Sequence, residues 1–175
     1  MAVFYQAISR KVLAAETNTV TFSNIPQSFT DLYCVCVTRA NNSTAASSVV
    51  IRLNQDNSGT AYSSTRMSMD TSNGTFNSVR ESNTSFINIH YTSATNNTAN
   101  AFGSNIFHIP RYSGSQFKCI NANSNNANNS STDVYNSMIS GLWRNTAAIN
   151  SISIIAASNG PFIAGSTFYL YGTLG

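Results

Sequence analysis

The side chains able to do acid–base, nucleophilic or metal chemistry are few. They are the carboxylates Glu16, Asp31, Asp56, Asp70, Glu81 and Asp133, the histidines His90 and His108, and the cysteines Cys34, Cys36 and Cys119. General acid–base catalysis needs a carboxylate or imidazole held at a tuned pKa, and these are spread singly along the chain. There is no G-x-S-x-G nucleophile elbow, no glycine loop of the kind that cradles phosphate, and no H-E-x-x-H pair. Serine and threonine are so abundant that any pairing with a histidine would be arbitrary. The reading is of a protein that is not an enzyme, with no catalytic residues and no cofactor.

Two metal readings fail on spacing. Cys34 and Cys36 share one face of a strand, Cys119 lies on another, and His90 and His108 would complete a zinc set. A C-x-C with no second cysteine pair is poor ligand spacing, and burial as small apolar side chains is the simpler reading. Three cysteines in a chain made in the cytosol give no reason to expect a disulfide. Asn54-x-Asp56-x-Ser58-Gly59 resembles the first half of a calcium loop, but the twelfth position is Thr65 rather than a bidentate Glu, which leaves a turn. Trp143 with Arg144 has the composition of a sugar-stacking or interface anchor. Core packing among the C-terminal strands is the competing reading, and the stronger one.

The elements that must position these groups are strands. Asn, Ser and Thr make up roughly 40% of the 175 residues, against 42% hydrophobic and only 9% charged. Thr favours strands, whereas Asn and Ser favour turns and oppose helix interiors. With the aromatic residues recurring at strand spacing, the composition points to an all-β domain with polar loops and away from disorder. Asp31–Thr38 (D-L-Y-C-V-C-V-T) is apolar on both faces, which predicts a central strand covered by a second sheet on one side and by a loop or neighbouring subunit on the other. Thr17–Ser23, Ala101–Ile109, Gln116–Ala122, Met138–Trp143, Ser151–Ala156 and Ser166–Tyr171 also read as strands, and Ser85–Tyr91 as a weaker one. Ser48–Leu53 and Ala61–Met69 look like a hairpin around Asn54–Gly59. Asp70–Asn83 shows little pattern, Asn121–Ser131 reads as a surface loop, and Ser158-Asn159-Gly160-Pro161 is turn chemistry. Nine or ten short strands at regular spacing predict a single-domain, jelly-roll-like antiparallel β-sandwich.

Charge excludes further classes. The net charge is +3 and the basic residues are scattered, with Arg10-Lys11 the only adjacent pair, so no basic stripe for nucleic acid is present. No stretch has the length of a membrane span, and the N-terminus lacks the pattern of a secretory signal. A surface so poor in ions is cheap to desolvate against a large partner.

Three pieces of sequence resemble a known family. They are F-S-N-I-P-Q-S-F-T-D-L at Phe22–Leu32, G-L-W-R-N-T-A-A-I-N-S-I-S-I at Gly141–Ile154, and F-I-A-G-S-T-F-Y-L-Y-G at Phe162–Gly172; Arg52-Leu53-Asn54 and Phe102–Tyr112 also fit. The chain resembles small virion proteins of tailed phages, common in environmental and cyanobacterial phages, from about Val3 to Gly172. Phe29 stands where that family usually has Tyr, and Thr173-Leu174-Gly175 follows its usual end. The shared motifs look structural, so no site residues carry over. The resemblance implies a virion protein made in the host cytoplasm, with the major capsid protein or other virion proteins as partners. A compact, weakly charged domain without a coiled coil or stalk suits a capsid decoration or cement protein, as a homotrimer. The alternative is a tail, collar, baseplate or fibre component contacting host glycans. Residues 1–14 form an N-terminal strand or arm and residues 15–175 the sandwich. Val3, Phe4, Tyr5, Arg10 and Lys11 from that segment, with Trp143 and Arg144, are the candidate interface residues.

Overall fold

The computed structural model describes residues 4–70, 74–126, 135–157 and 160–174. They form β1 (Phe4–Val12), β2 (Thr19–Phe22), β3 (Asp31–Thr38), β4 (Ala46–Leu53), β5 (Tyr62–Asp70), β6 (Thr75–Thr84), β7 (Ile87–Ser93), β8 (Gly103–Ile109), β9 (Lys118–Asn126), β10 (Tyr135–Trp143), β11 (Ile152–Ala156) and β12 (Thr167–Leu174). One sheet has eight strands in the order β1-β12-β3-β8-β9-β10-β5-β6, the other four in the order β2-β11-β4-β7.

One pairing rule generates this order. β1 pairs with β12, β2 with β11, β3 with β8 and β4 with β7, all antiparallel, so the chain is a long double strand folded back and forth between two sheets. That is the jelly roll. Two insertions widen it. β5–β6 enters between β4 and β7, β9–β10 enters between β8 and β11, and both extend the same sheet beyond β8.

Strand formation follows the period-two pattern. β8, β9 and β10 place residues alternately inside and outside along most of their length. Leu32, Phe107, Phe168 and Leu170 of the large sheet meet Phe22, Ile51, Leu53 and Ile154 of the small one in a single core. Each fully buried side chain of this size contributes about 1.5–3 kcal/mol.

The sequence pieces that carry the family resemblance meet in space. Ile25 N donates to Asn150 O at 3.0 Å, Gln27 Nε2 to Ile149 O at 3.0 Å, and Thr30 N to Thr173 O at 2.8 Å. The Phe29 ring lies against Gly172, where a Cβ would stand 2.2 Å from the ring's Cγ. The motifs therefore close the sandwich rather than build a site.

Several expectations need correcting. β4 and β5 lie in different sheets, so Asn54–Gly59 is a crossover and not a hairpin turn. β6 escapes a pattern search because, as the terminal strand, it is exposed along most of its length and alternates only over Ser78–Ser82, with no fully buried residue. β9 runs on to Asn126, with Ala122, Ser124 and Asn126 buried, so the start of the Asn/Ser-rich run is strand; residues 127–131 of it, like Ser158 and Asn159 of the turn, lie outside the described residues. β3 has the expected second sheet over Leu32, Cys34 and Cys36, which are buried, while on the opposite face of the single chain Val37 is 38% exposed. Of the two readings of the N-terminal segment, strand or arm, residues 4–12 take the first, as an edge strand of the large sheet hydrogen-bonded to β12.

Gly172→Ala is expected to lower stability by about 1–3 kcal/mol, the usual cost of overpacking, read as a lower urea midpoint at unchanged slope. Combining it with Phe29→Ala removes the clash, so the double variant should lose much less than the sum of the two single losses; full additivity would contradict the contact.

Candidate functional site

The first candidate is a histidine–serine pair. A register shift between β4 and β7 at Ser48/Val50 turns two successive β7 residues, Ile89 and His90, inward, with His90 at φ 69° and its N–H bonded to Asn88 Oδ1. His90 Nδ1 hydrogen-bonds Ser137 Oγ, and Arg66, Glu81 and Ser64 lie beyond, with Arg66 Nη1 to Glu81 Oε1 at 3.8 Å. Burial, and then the nearby Arg66 charge, push the His90 pKa down to about 3. Ser137 is only 1% exposed and His90 5%. A nucleophile so enclosed meets no substrate. The pair is a satisfied buried polar contact, and its chemistry is structural.

The other chemistry-bearing residues are held apart. Cys34 and Cys36 sit inside with their sulfurs 3.8 Å apart, Cys119 is exposed on the opposite face of the large sheet, and His108 pairs with Asp31 at 3.2 Å on that outer face. Among the described residues no group of three or more His, Cys, Asp or Glu is placed to hold a metal. Asp56 is committed to the fold: Oδ1 accepts from Ser58 N, and Oδ2 accepts from Trp143 Nε1 at 2.8 Å. Burial pushes its pKa up, but hydrogen bonds from Ser58, Trp143 and Asn145 outweigh this and hold it below the usual carboxylate value.

The candidate interface residues divide sharply. Trp143 is fully buried and stacks on Tyr62 at 6.3 Å, so it is a core residue and no anchor for a partner. Arg144 is spent on the carbonyls of Thr60 and Tyr62. Lys11 ties β1 to the small sheet through Thr21 O at 2.7 Å and sits over the Phe22 ring. Phe4 and Tyr5 are exposed, and Arg10 lies over the Tyr169 ring at 5.7 Å. Val3 lies outside the described residues.

Tyr5 and Arg10 belong to a larger surface, the outer face of the eight-stranded sheet. The registers line its side chains up in rows. One row runs Arg10–Tyr169–Val35–Ile106–Asn123–Met138–Met67–Ser78. The row on one side runs Ala7–Tyr171–Tyr33–His108–Asn121–Ser140–Thr65–Arg80, and that on the other Val12–Thr167–Val37–Ser104–Asn125–Asn136–Met69–Phe76. In these rows only Arg10 and Arg80 carry a fixed charge. At the β1 end, Tyr5, Tyr33, Val35 and Tyr171 wall a shallow depression of about 350 Å³. At the β6 end, Met67, Met69, Phe76 and Met138 stand out as a second apolar cluster, 45–64% exposed. Large apolar side chains gathered this way mark a surface that something covers. The alternation Met-Ser-Met in β5 and Tyr-Leu-Tyr in β12 carried the signal, but it reads equally well with either face turned to the core.

No family model matches the chain, and no curated protein does. Among solved structures, a lectin, UEA-II in complex with galactose, aligns over 98% of this chain and 92% of its own at 8% identity, with a TM-score of 0.19. That score carries no argument about this chain.

His90 stays neutral in the fold down to about pH 3, while in the unfolded chain it titrates near 6.5. Between these values the unfolded state binds the extra proton, so this contribution to stability is complete above pH 6.5 and declines as the pH falls toward 3. His90→Gln should flatten the loss of urea midpoint between pH 6.5 and 4. An unchanged slope in the variant would place the acid sensitivity elsewhere.

Proposed function

We propose that this chain is a structural protein of a tailed-phage virion, a decoration or cement protein that binds the assembled capsid and reinforces joints between coat subunits. The observation that carries the reading is the outer face of the large sheet: wide, nearly free of charge and bearing two apolar clusters. Such a face suits a protein that works inside an assembly, covered by coat subunits or by another copy of the chain. Jelly rolls recur in viral shells, and the family-like motifs lie where the sandwich closes, as expected if the family shares a scaffold. The mechanism is burial of surface that becomes available in the assembled particle. Binding that favours the assembled state over its separated parts stabilises it by mass action. A low surface charge keeps the desolvation cost of that burial small.

The test is the number of copies per purified particle, by quantitative mass spectrometry. Copies approaching the number of coat subunits are expected. A dozen or a few dozen would place the chain at the tail or a single vertex and replace this reading with attachment to the host. Particles lacking the chain should also break open at a lower temperature than complete ones; equal midpoints would remove the reinforcing role.

A further inference from the structure

The rows of the outer face are matched to themselves. The apolar groups at its two ends differ in kind: aromatic on β1, β12 and β3, methionine-rich on β10, β5 and β6, and shallow depressions lie at both ends. We propose that this face is covered by the same face of a second copy, in a two-fold dimer whose axis runs parallel to the strands between β8 and β9.

A two-fold in that position follows from the strand order. It sets β3 across from the other copy's β10, β12 across from β5, β1 across from β6 and β8 across from β9, while leaving every side chain in its own row. Val35, the floor of the tyrosine-walled depression, then faces the other copy's Met138, which is 61% exposed and the most prominent methionine of the cluster. In the same row Tyr169 faces Met67, and in the next Val12 faces Phe76. Methionine sulfur against an aromatic ring is favourable, and the unbranched side chain adapts to a shallow depression. The polar middle meets itself, with Ile106 and His108 of β8 over Asn123 and Asn121 of β9. Arg10 and Arg80 face Ser78 and Ala7 rather than each other. Each contact occurs twice, as an isologous interface requires.

Size supports a second copy over a smaller occupant. Eight strands at ~4.8 Å spacing and roughly seven residues at ~3.4 Å give a face of about 34 by 24 Å, or ~800 Å², the area each partner contributes to a stable specific interface. Sheets pack face to face at ~10 Å with their strands within about 30° of each other, which the in-plane axis allows.

The inference does not rest on the virion reading and is tested on the purified chain. Sedimentation equilibrium should give twice the monomer mass at micromolar concentration. Met138→Lys and Met67→Lys, each placing a charge against the other copy's apolar surface, should each weaken association by ~100-fold. Both positions are exposed in the single chain, so thermal midpoints measured on dilute protein should stay within a few degrees. A wild type that remains monomeric up to ~100 µM overturns the proposal, as does a trimer. So does a dimer that survives both substitutions. A monomer whose binding to capsids is abolished by Met138→Lys would overturn it too, and would assign the face to coat subunits.

Discussion

The small sheet ends at β7, so the half of the large sheet formed by β9, β10, β5 and β6 has to be held from inside by one strand rather than by a second sheet of apolar side chains. β7 lies against β8, β9, β10 and β5; Ile87 and Ile89 join the apolar core there, with Ile87 against Gly141, and the rest of the contact is polar. Asn105 Nδ2 reaches Ser124 Oγ at 2.8 Å and Tyr91 O at 3.1 Å, Ser93 Oγ reaches Asn126 Oδ1 at 2.6 Å, and His90 meets Ser137. Paired in this way, buried polar groups fix one register where apolar contacts would allow several, although Asn105 Oδ1 and Asn126 Nδ2 are buried with no hydrogen-bond partner. Arg39, only 6% exposed, holds the loop that follows β7: its guanidinium donates to the carbonyls of Thr95, Asn97, Thr98 and Ala101. The same residue's backbone bonds Ser166 Oγ and Ile163 N, so one buried cation joins the ends of three connections.

The inserted strands also create the outer face. A jelly roll without them would present a sheet of four strands there; the β5–β6 and β9–β10 insertions double its width and contribute every methionine among the described residues. Several of the groups able to do chemistry are meanwhile engaged by the fold. His90 is enclosed, Asp56 holds Trp143, and Lys118 is buried with its ammonium on the carbonyls of Gln116 and Thr146. The outer face of the large sheet, by contrast, is wide, weakly charged and bears exposed apolar side chains.

Strands with one apolar face were legible in the sequence: β2, β8, β11 and β12 follow their alternation, and β3 begins and ends where its apolar run does. β6 was not, because a terminal strand whose surface is mostly exposed needs no alternation. The end of β9 was hidden for the opposite reason, since its inward residues Ser124 and Asn126 are polar and buried against polar partners. The apolar outer side of β3 was visible as a strand needing cover on both faces. Which residues complete that surface depended on sheet order, which brings Met67 and Met138 from distant segments into the row of Val35. Trp143 shows the converse: a lone tryptophan beside an arginine has an interface composition, yet the Asp56 carboxylate and the Tyr62 ring claim it for the core.

Coverage of the outer face is most directly read from the solvent accessibility of Met67, Met69 and Met138. Hydroxyl-radical footprinting of the intact chain, with oxidation measured at each methionine by mass spectrometry across a dilution series, separates a covered face from a bare one. A dimer through this face predicts strong protection at high concentration that is lost on dilution, most of all at Met138. Oxidation of all three methionines at a constant rate across the series would show the face bare in solution and contradict the account.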